Sequence, residues 1–247
     1  MERKDHSMKW GTRMTAAALA LTLAASSAPA KAYSLPYGDV NDQYWAYLDI
    51  LYSSQWGLLQ GREDGNFHPE DTLTRAEFVS ILARVGNVQL SRYPGSDFQD
   101  VAESAWYAQA VNWAHRMGVA SGVGNGCFDP NGAVTREQMA TMSYQFLKSM
   151  GITYGNDNTV LPYSDAGSIS DWALDAVKAM YTSKLLTGRE DGTFDPFAPT
   201  SRAEAAAMAR RLYVNLDDEP DPNPDEGEDN TDGQNPGEGT GEDASGN

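Results

Sequence analysis

The chain has 247 residues and a formal net charge of −17 at neutral pH, from 35 acidic and 18 basic side chains. This surplus of acids argues against nucleic-acid binding, because phosphate recognition depends on clustered lysines and arginines. One cysteine, Cys127, excludes an internal disulfide, and no Cys/His cluster has zinc-ligand spacing, so we expect neither a metal nor a cofactor.

The N-terminal segment, residues 1–32, has the features of a secretory signal peptide. Basic residues between Arg3 and Arg13 precede a short apolar run, and a cleavage pattern follows that ends at Ala32 or, alternatively, at Ala30. The apolar run is too short for a stop-transfer helix, and no later stretch is long enough to span a bilayer. We therefore expect an exported, soluble mature protein without a transmembrane segment.

Three repeats follow, which we assign to residues 33–92, 93–155 and 156–216. Tryptophan, phenylalanine and arginine recur in each repeat, with separations of 61 and 66 residues between copies. The equivalent sets are Trp45, Trp106 and Trp172; Phe67, Phe128 and Phe194; and Arg75, Arg136 and Arg202. Such a fixed register is the signature of a repeated supersecondary unit.

Each repeat is predicted to form a helix, a glycine-rich turn and a second helix. The predicted apolar face of the first helix in repeat two comprises Trp106, Ala110, Val111, Ala114 and Met117. The corresponding face in repeat three comprises Trp172, Ala176, Val177 and Met180. The second helix of repeat one places Phe78, Ile81, Leu82 and Val85 on one face. A copy of about 50 residues has too little core to fold alone, so we expect the three copies to share one core.

The second helix of each repeat begins with a capping box, in which a hydroxyl and an acid or amide three residues later satisfy backbone amide groups. The three boxes are Thr74 with Glu77, Thr135 with Gln138, and Ser201 with Glu204. Because loss of such a cap costs about 1 kcal/mol, we assign these residues to structure.

An arginine stands directly after each cap, at Arg75, Arg136 and Arg202. Capping does not require it, and its charge opposes the positive end of the helix dipole. Two interpretations remain open. One is a solvated or salt-bridged side chain. The other is an anion site formed by the guanidinium and the exposed amide groups of the helix start. On the second interpretation, replacing Arg75 or Arg202 by alanine weakens binding and leaves thermal stability nearly unchanged.

The C-terminal segment, residues 217–247, contains twelve acidic residues, no basic residue and no aromatic residue. It has too little apolar surface to offset its ordering entropy, so we predict a disordered acidic tail rich in proline and glycine. A spacer, an interaction tail and a merely solvated end are all open interpretations. Residues 33–216 then carry a net charge of −8.

The repeats resemble the S-layer homology (SLH) domain. The resemblance rests on an aromatic-x-Asp-Val start, a Trp-Ala helix, "GREDGTFDP" and "TRAE", which recur with variations in three consecutive motifs over roughly residues 35–215. It implies an all-α fold, in which three helix-turn-helix SLH motifs form one pseudo-threefold unit around a central bundle of their first helices. It also implies a secreted protein at the cell wall or surface layer of a bacterium. There, grooves between motifs bind an anionic secondary cell-wall polysaccharide, typically with pyruvylated N-acetylmannosamine.

The resemblance also assigns ligand-binding residues to the grooves. Implied ligand contacts are the "TRAE" arginines Arg75, Arg136 and Arg202. An aspartate and a tryptophan border each groove: Asp39 with Trp45, Asp100 with Trp106, and Asp165 with Trp172. Arg62 and Arg189, before the Asp-Gly turns, are further candidates, and the second motif has Val123 in their place. We therefore expect unequal grooves, with the middle motif the weakest.

The chemistry of these residues suits a sugar that bears a carboxylate. Arginine can bind a carboxylate with two parallel hydrogen bonds, and a tryptophan can cover a sugar face. Core packing is the alternative role for the tryptophans, which begin the predicted apolar faces.

Other functions stay open beside non-catalytic anchoring, which we favour. A structural surface-layer component would assemble with other surface-layer proteins. A wall-directed glycoside hydrolase would use paired carboxylates, although turns, caps and the tail account for the acids. Calcium binding to Asp-rich turns such as "REDGNFHPED" is a further alternative, but their spacing does not match an EF-hand loop.

Overall fold

Six α-helices form the main regular structure of the described part of the chain. The computed structural model describes residues 34–155 and 159–216, so the predicted signal peptide and acidic tail lie outside the described residues. The helices are α1 (Tyr47–Gln55), α2 (Arg75–Val85), α3 (Ala108–Arg116), α4 (Arg136–Ser149), α5 (Asp171–Thr182) and α6 (Arg202–Leu216). Two 3₁₀ turns lie at Leu90–Arg92 and Ala166–Ser168. These two described ranges contain isolated β-bridges but no strand, and the all-α prediction is confirmed.

The second helices α2, α4 and α6 begin with reciprocal capping bonds. Thr74 Oγ1 accepts from the Glu77 amide at 3.2 Å, and Glu77 Oε2 accepts from the Thr74 amide at 2.8 Å. The pairs Thr135–Gln138 and Ser201–Glu204 make the same two bonds. These bonds satisfy amide groups that the first helical turn leaves unpaired, and they define where each helix starts.

A closed ring of backbone hydrogen bonds marks the pseudo-threefold axis. The Leu73 amide donates to Thr200 O (2.9 Å), the Thr200 amide to Val134 O (2.8 Å), and the Val134 amide to Leu73 O (3.1 Å). These three residues are equivalent in the repeat register and directly precede the capping boxes. The ring therefore ties the starts of the three second helices together.

The second helices, and not the first, form the central bundle. Helix α2 contacts both α4 and α6, and each first helix packs on the second helix of the preceding motif: α3 on α2, α5 on α4, and α1 on α6. The implied bundle of first helices is thus corrected, because the backbone ring holds the second helices at the axis. Small side chains permit close approach where a first helix packs on a second helix. For example, Ser53 Oγ of α1 donates to Ala206 O of α6 at 2.9 Å.

The predicted apolar faces are correct in the middle of the helices and wrong at the ends of the first helices. Phe78, Ile81, Leu82 and Val85 are buried, and so are Ala110, Val111, Ala114, Ala176, Val177 and Met180. Trp106 and Met117 are exposed, however, since α3 begins only at Ala108 and ends at Arg116. In residues 34–155 and 159–216, no helix combines the length and apolar character needed to cross a bilayer.

Candidate functional site

The aspartate near the start of each motif holds the turn at the phenylalanine that recurs in all three motifs. Asp39 accepts from the amides of Phe67 (2.9 Å) and His68 (2.7 Å), one at each carboxylate oxygen. Asp100 binds Phe128 and Asp129, and Asp165 binds Phe194 and Asp195, in the same way. His68, Asp129 and Asp195 have φ of 57°, 59° and 56°, so each aspartate supports a turn in the left-handed region.

These hydrogen bonds also change acidity. Partial burial raises the pKa of Asp39, but the bonds from the Phe67 and His68 amides outweigh it, so the pKa of Asp39 lies below its usual value. The pKa of Asp100 is lowered in the same balance, by the amides of Phe128 and Asp129. Both carboxylates therefore favour the ionised form that the turn requires.

The three "TRAE" arginines reach across the boundary into the following motif. Arg75 donates from Nε to Phe128 O (3.0 Å) and from Nη2 to Ser121 O (2.8 Å). Arg136 makes the same bonds to Phe194 O and Thr187 O, and Arg202 closes the cycle with Phe67 O and Gln60 O. Each guanidinium also lies over the ring of that phenylalanine, 4.7 to 5.2 Å from its centroid. Each arginine thus joins two motifs.

Burial makes these arginines structural residues. Arg75, Arg136 and Arg202 are only 5%, 4% and 3% exposed. Burial lowers the pKa of all three, yet an arginine remains charged at neutral pH. Removal of the side chain would leave two carbonyls without their donor in the interior. Contrary to the expectation from the sequence, these contacts predict that Arg75→Ala and Arg202→Ala lower stability.

The amide groups at the helix starts are also occupied. The Arg75 amide donates to Gly132 O at 2.9 Å and the Ala76 amide to Pro130 O at 3.1 Å, both in the following motif. The amides at the starts of α4 and α6 make the equivalent bonds to Ala198, Pro196, Asp71 and Pro69. The expected anion site at exposed helix amides is thus corrected. A ligand there would meet only the outer edge of the guanidinium.

Two grooves between motifs expose that edge, and three motifs contribute to each. The motif-1 groove, about 520 Å³, is named for its turn and second helix. It is lined by residues 57 and 59–62, by Glu77, Ile81 and Arg84 of α2, by Trp106 and by Arg202. The equivalent motif-3 groove, about 740 Å³, is lined by the turn at 186–191, by Glu204, Met208 and Arg211 of α6, by Trp45 and Glu70, and by Arg136, among others. Both volumes lie within the range of small-ligand sites.

The repeat register defines a third, equivalent position, the motif-2 groove. It comprises Val123, Gln138, Gln145, Trp172, Phe197 and Arg75, which correspond to Arg189, Glu204, Arg211, Trp45, Glu70 and Arg136 of the motif-3 groove. The direct bond from Arg75 to the Ser121 carbonyl places Arg75 beside the turn of motif 2, as the equivalence requires.

All three tryptophans are on the surface. Trp45, Trp106 and Trp172 are 60%, 65% and 57% exposed, and the first two line the motif-3 and motif-1 grooves. Core packing, the alternative role from the sequence, is therefore contradicted.

Sequence reasoning missed a further arginine in each of two grooves. Arg84 near the end of α2 and Arg211 in α6 line the motif-1 and motif-3 grooves, and motif 2 has Gln145 at this position. Each arginine is oriented by a hydrogen bond to the turn that follows the first helix of its own motif. Arg84 Nη1 donates to Leu58 O (3.0 Å), and Arg211 Nη1 donates to Leu185 O (3.4 Å). The recurrence nine residues after the "TRAE" arginine was the available signal.

The two charged grooves differ in the balance of their ions. The motif-1 groove sets Arg62, Arg84 and Arg202 against Glu77, whose Oε1 lies 3.9 Å from Arg202 Nη1. Arg62 also pairs with the exposed Asp71.

In the motif-3 groove, three arginines face four acids. They are Arg136, Arg189 and Arg211 against Glu70, Glu190, Asp191 and Glu204. Arg136 Nη1 is already bound to Glu204 Oε1 at 2.7 Å. The motif-1 groove is thus the more positive of the two.

The other ionic features do not form a site for a cation. Within the described ranges, no group of three or more His, Cys, Asp or Glu side chains is arranged to hold a metal ion. The turn acids have other partners: Asp64 binds His68 Nε2 at 2.6 Å, and Asp191 accepts from the amide and hydroxyl of Thr193.

Comparison with known proteins identifies the three motifs. The family model of the S-layer homology domain matches residues 36–79, 97–140 and 162–206. An amylopullulanase of Thermoanaerobacterium thermosulfurigenes is 32% identical over 179 residues, which are 71% of this chain and 9% of that protein. A cellulosome-anchoring protein of Acetivibrio thermocellus is 32% identical over 158 residues, 62% of this chain and 35% of that protein. An S-layer protein of Bacillus thuringiensis subsp. finitimus is 27% identical over 193 residues, 78% of this chain and 22% of that protein.

The chain therefore spans a minor part of each of these relatives. With three tandem matches that cover more than half of its length, the chain belongs to the S-layer homology domain family, which places it at the cell surface.

Proposed function

We propose that the chain anchors non-covalently to the cell wall by binding an anionic secondary cell-wall polysaccharide in its motif-1 and motif-3 grooves. The observation that carries this proposal is the motif-1 groove, where three arginines and one glutamate lie beside an exposed tryptophan. Guanidinium groups select planar acids, and a sugar with a pyruvate ketal presents such a carboxylate on a polar ring.

The bound carboxylate would lie between the outer edges of Arg202, Arg84 and Arg62. Two of these side chains are oriented in advance by backbone carbonyls, Arg202 by Gln60 O and Arg84 by Leu58 O, so little side-chain entropy is lost on binding. A hydrogen bond to a charged group contributes about 1.5–3 kcal/mol. Trp106 would cover a face of the sugar ring from the neighbouring motif.

The remaining predicted site residues belong to the motif-3 groove or to the turns of the three motifs. Arg189 and Arg136 serve the motif-3 groove, with Trp45 as its sugar platform. Asp39, Asp100 and Asp165 border the grooves indirectly, since they fix the turns whose phenylalanines carry the arginines. Recognition is local, because the described motifs are acidic overall and charges are screened beyond about 8–10 Å at physiological salt.

We further propose that the chain acts without catalysis. The glutamates of the charged grooves, Glu77 and Glu204, each cap a helix with one carboxylate oxygen. Glu204 is also held by Arg136 at 2.7 Å. These engagements favour a structural role over general acid–base work. Sustained release of sugar fragments from walls by the purified chain would contradict this part of the proposal.

A wall pull-down tests the anchoring proposal. We expect the full chain to bind purified walls that carry the secondary polymer and not walls stripped of it. Arg84→Gln, which gives α2 the residue found at this position in α4, should weaken binding by about tenfold because one charged hydrogen bond is lost. Lys148→Gln removes the same charge from α4 outside the two grooves and is the matched control.

The outcomes separate the ligand from the wall itself. Equal binding to stripped walls would overturn the polysaccharide assignment. Equal loss of binding in Arg84→Gln and Lys148→Gln would indicate a general charge effect and would overturn the assignment to the groove.

A further inference from the structure

The motif-2 groove has an uncharged side chain at three positions where the motif-1 and motif-3 grooves both have a charged one. Arg62 and Arg189 correspond to Val123, Glu77 and Glu204 to Gln138, and Arg84 and Arg211 to Gln145. Arg75 is the one charged side chain that this groove retains at the equivalent positions. It is 5% exposed and already donates to two backbone carbonyls.

Apolar surface replaces the missing charges. Val123, Trp172 and Phe197 are 57%, 57% and 61% exposed, although each is a large apolar side chain. Phe197 takes the register position of Glu70, which lines the motif-3 groove. The motif-2 groove thus combines two aromatic rings and a valine with the two primary amides of Gln138 and Gln145.

A buried glutamate contacts the start of the helix that carries one of these rings. Glu137 stands where motifs 1 and 3 have Ala76 and Ala203, and it is buried. Its Oε1 accepts from Ser170 Oγ and its Oε2 from the Ser170 amide, both at 3.0 Å. Ser170 is the N-cap of α5, so the carboxylate is bound at the start of the neighbouring helix.

This contact has a consequence for Trp172. Trp172 is the second residue of α5, directly after the capped start, whereas Trp45 and Trp106 precede α1 and α3 by two residues. Two sequence changes therefore coincide at this helix start. One is glutamate in place of alanine at position 137, and the other is the residue inserted before Trp172. Trp172 thereby lies within the first turn of α5, next to the helix start that Glu137 contacts.

We infer that the motif-2 groove is a subsite for an uncharged sugar residue of the same wall polymer. A sugar has apolar C–H faces for Trp172 and Phe197, and its hydroxyl or acetamido groups match the amides of Gln138 and Gln145, which both donate and accept. A carboxylate here would meet Arg75 alone, with no counterpart of Arg62 or Arg84, so this groove offers an acid fewer charged donors than either charged groove does. The inference rests on the proposed function, since it takes the wall polymer as the common ligand.

Calorimetric titration with two forms of the polymer tests the inference. The probes are the native pyruvylated polymer and the same polymer after mild acid hydrolysis of its pyruvate ketals. The variant is Trp172→Ala, and the matched control is Trp106→Ala in the motif-1 groove, a tryptophan of similar exposure. Thermal denaturation verifies that both variants fold.

We expect the hydrolysed polymer to retain weak binding to the full chain. Trp172→Ala should reduce this residual affinity by about tenfold, as is usual for a central aromatic contact, and Trp106→Ala by less than about twofold. On the native polymer, Trp106→Ala should have the larger effect. Gln145→Ala is the second variant, with the same expected pattern, and it decides the test if Trp172→Ala does not fold.

Each contrary outcome has a distinct meaning. Equal effects of the two tryptophan variants on the hydrolysed polymer would overturn the inference. Binding of the native polymer with no binding of the hydrolysed one would also overturn it, while the anchoring proposal would stand. If the chain binds neither form, the proposed function itself fails.

Discussion

The motif-1 and motif-2 grooves have the same scaffold and different surfaces. In both, an arginine from the preceding motif donates to a phenylalanine carbonyl and to the carbonyl of a turn residue, Gln60 or Ser121. In both, an aspartate holds the turn that carries this phenylalanine. Only the side chains that face the ligand differ, with Arg62, Glu77 and Arg84 in one and Val123, Gln138 and Gln145 in the other.

This comparison separates what builds a groove from what selects its ligand. The signature "TRAE" residues belong largely to the scaffold, since the Thr and Glu cap a helix and the Arg joins two motifs. On the proposed function, selectivity depends on the turn residue Arg62 or Val123, on the helix residue Arg84 or Gln145, and on the last signature residue, Glu77 or Gln138. A motif can therefore keep the helix cap and the arginine of its signature and still present different side chains to a ligand.

The largest expected effect tests whether the scaffold is common to both grooves. Arg202→Ala and Arg75→Ala should each reduce the free energy of unfolding by about 2–4 kcal/mol, because two buried carbonyls lose their donor and an aromatic ring loses its cover. For a chain of this size, this lowers Tm by about 5–15 °C in thermal denaturation.

The surface variant Arg116→Gln is the control for this pair. It removes an arginine whose partner, Asp97, lies at the surface, so its Tm should stay close to that of the wild type. A marked difference in Tm between Arg75→Ala and Arg202→Ala would show that the scaffold is not equivalent in the two grooves. An unchanged Tm in both would restore the arginines as ligand contacts alone.

The next effect tests whether surface side chains alone decide charge selectivity. The double variant Val123→Arg with Gln145→Arg gives the motif-2 groove the arginines of motif 1. We expect its affinity for pyruvylated polymer to rise by about tenfold, from one added charged hydrogen bond net of the cost of ordering two long side chains. Titration calorimetry measures the change.

An equally charged control excludes simple attraction between the protein and an anionic polymer. Gln89→Arg with Val160→Arg adds the same two charges at exposed residues that line neither charged groove. If this control gains as much affinity as the motif-2 variant, the groove has no part in charge selectivity.

Much of the fold could be predicted from the sequence because its signals are local. Capping boxes place the starts of α2 and α4 to the residue, and the stripe Phe78, Ile81, Leu82 and Val85 is buried as its spacing indicates. The starts of the first helices could not be located as closely from the sequence, since no capping box marks them. Trp106 was therefore counted as part of an apolar face although α3 begins two residues later.

The site was harder to predict because its contacts connect different motifs. Arg75 and Phe128 are 53 residues apart, and a repeat register gives no information about which copy contacts which. An arginine within one motif then looks like a residue that its helix does not need. Arg84 was missed for the opposite reason, since an arginine in the last turn of a helix is ordinary and has a favourable dipole position.

The smallest expected effect compares the two turns through pH. Asp39 supports the turn beside Arg202 and Asp100 the turn beside Arg75. Because the pKa of both is lowered in the folded state, their contribution to stability is complete above the unfolded value of about 3.9. It is lost as pH falls through the folded value. Asp39→Asn and Asp100→Asn should each lower Tm by about 2–5 °C at pH 7, since one amide loses its acceptor.

The acid limb of the experiment gives the sign. Below pH of about 3, protonation of the wild-type carboxyls brings the wild type towards the variants, so the differences in Tm should shrink. Asp42→Asn, at an exposed aspartate of the same segment, should leave Tm nearly unchanged throughout. Equal curves for Asp39→Asn and Asp100→Asn would mean that the turns of the charged and neutral grooves are held alike. A difference between them that persists in acid would place part of the contrast between the grooves in the backbone and not in the side chains mounted on it.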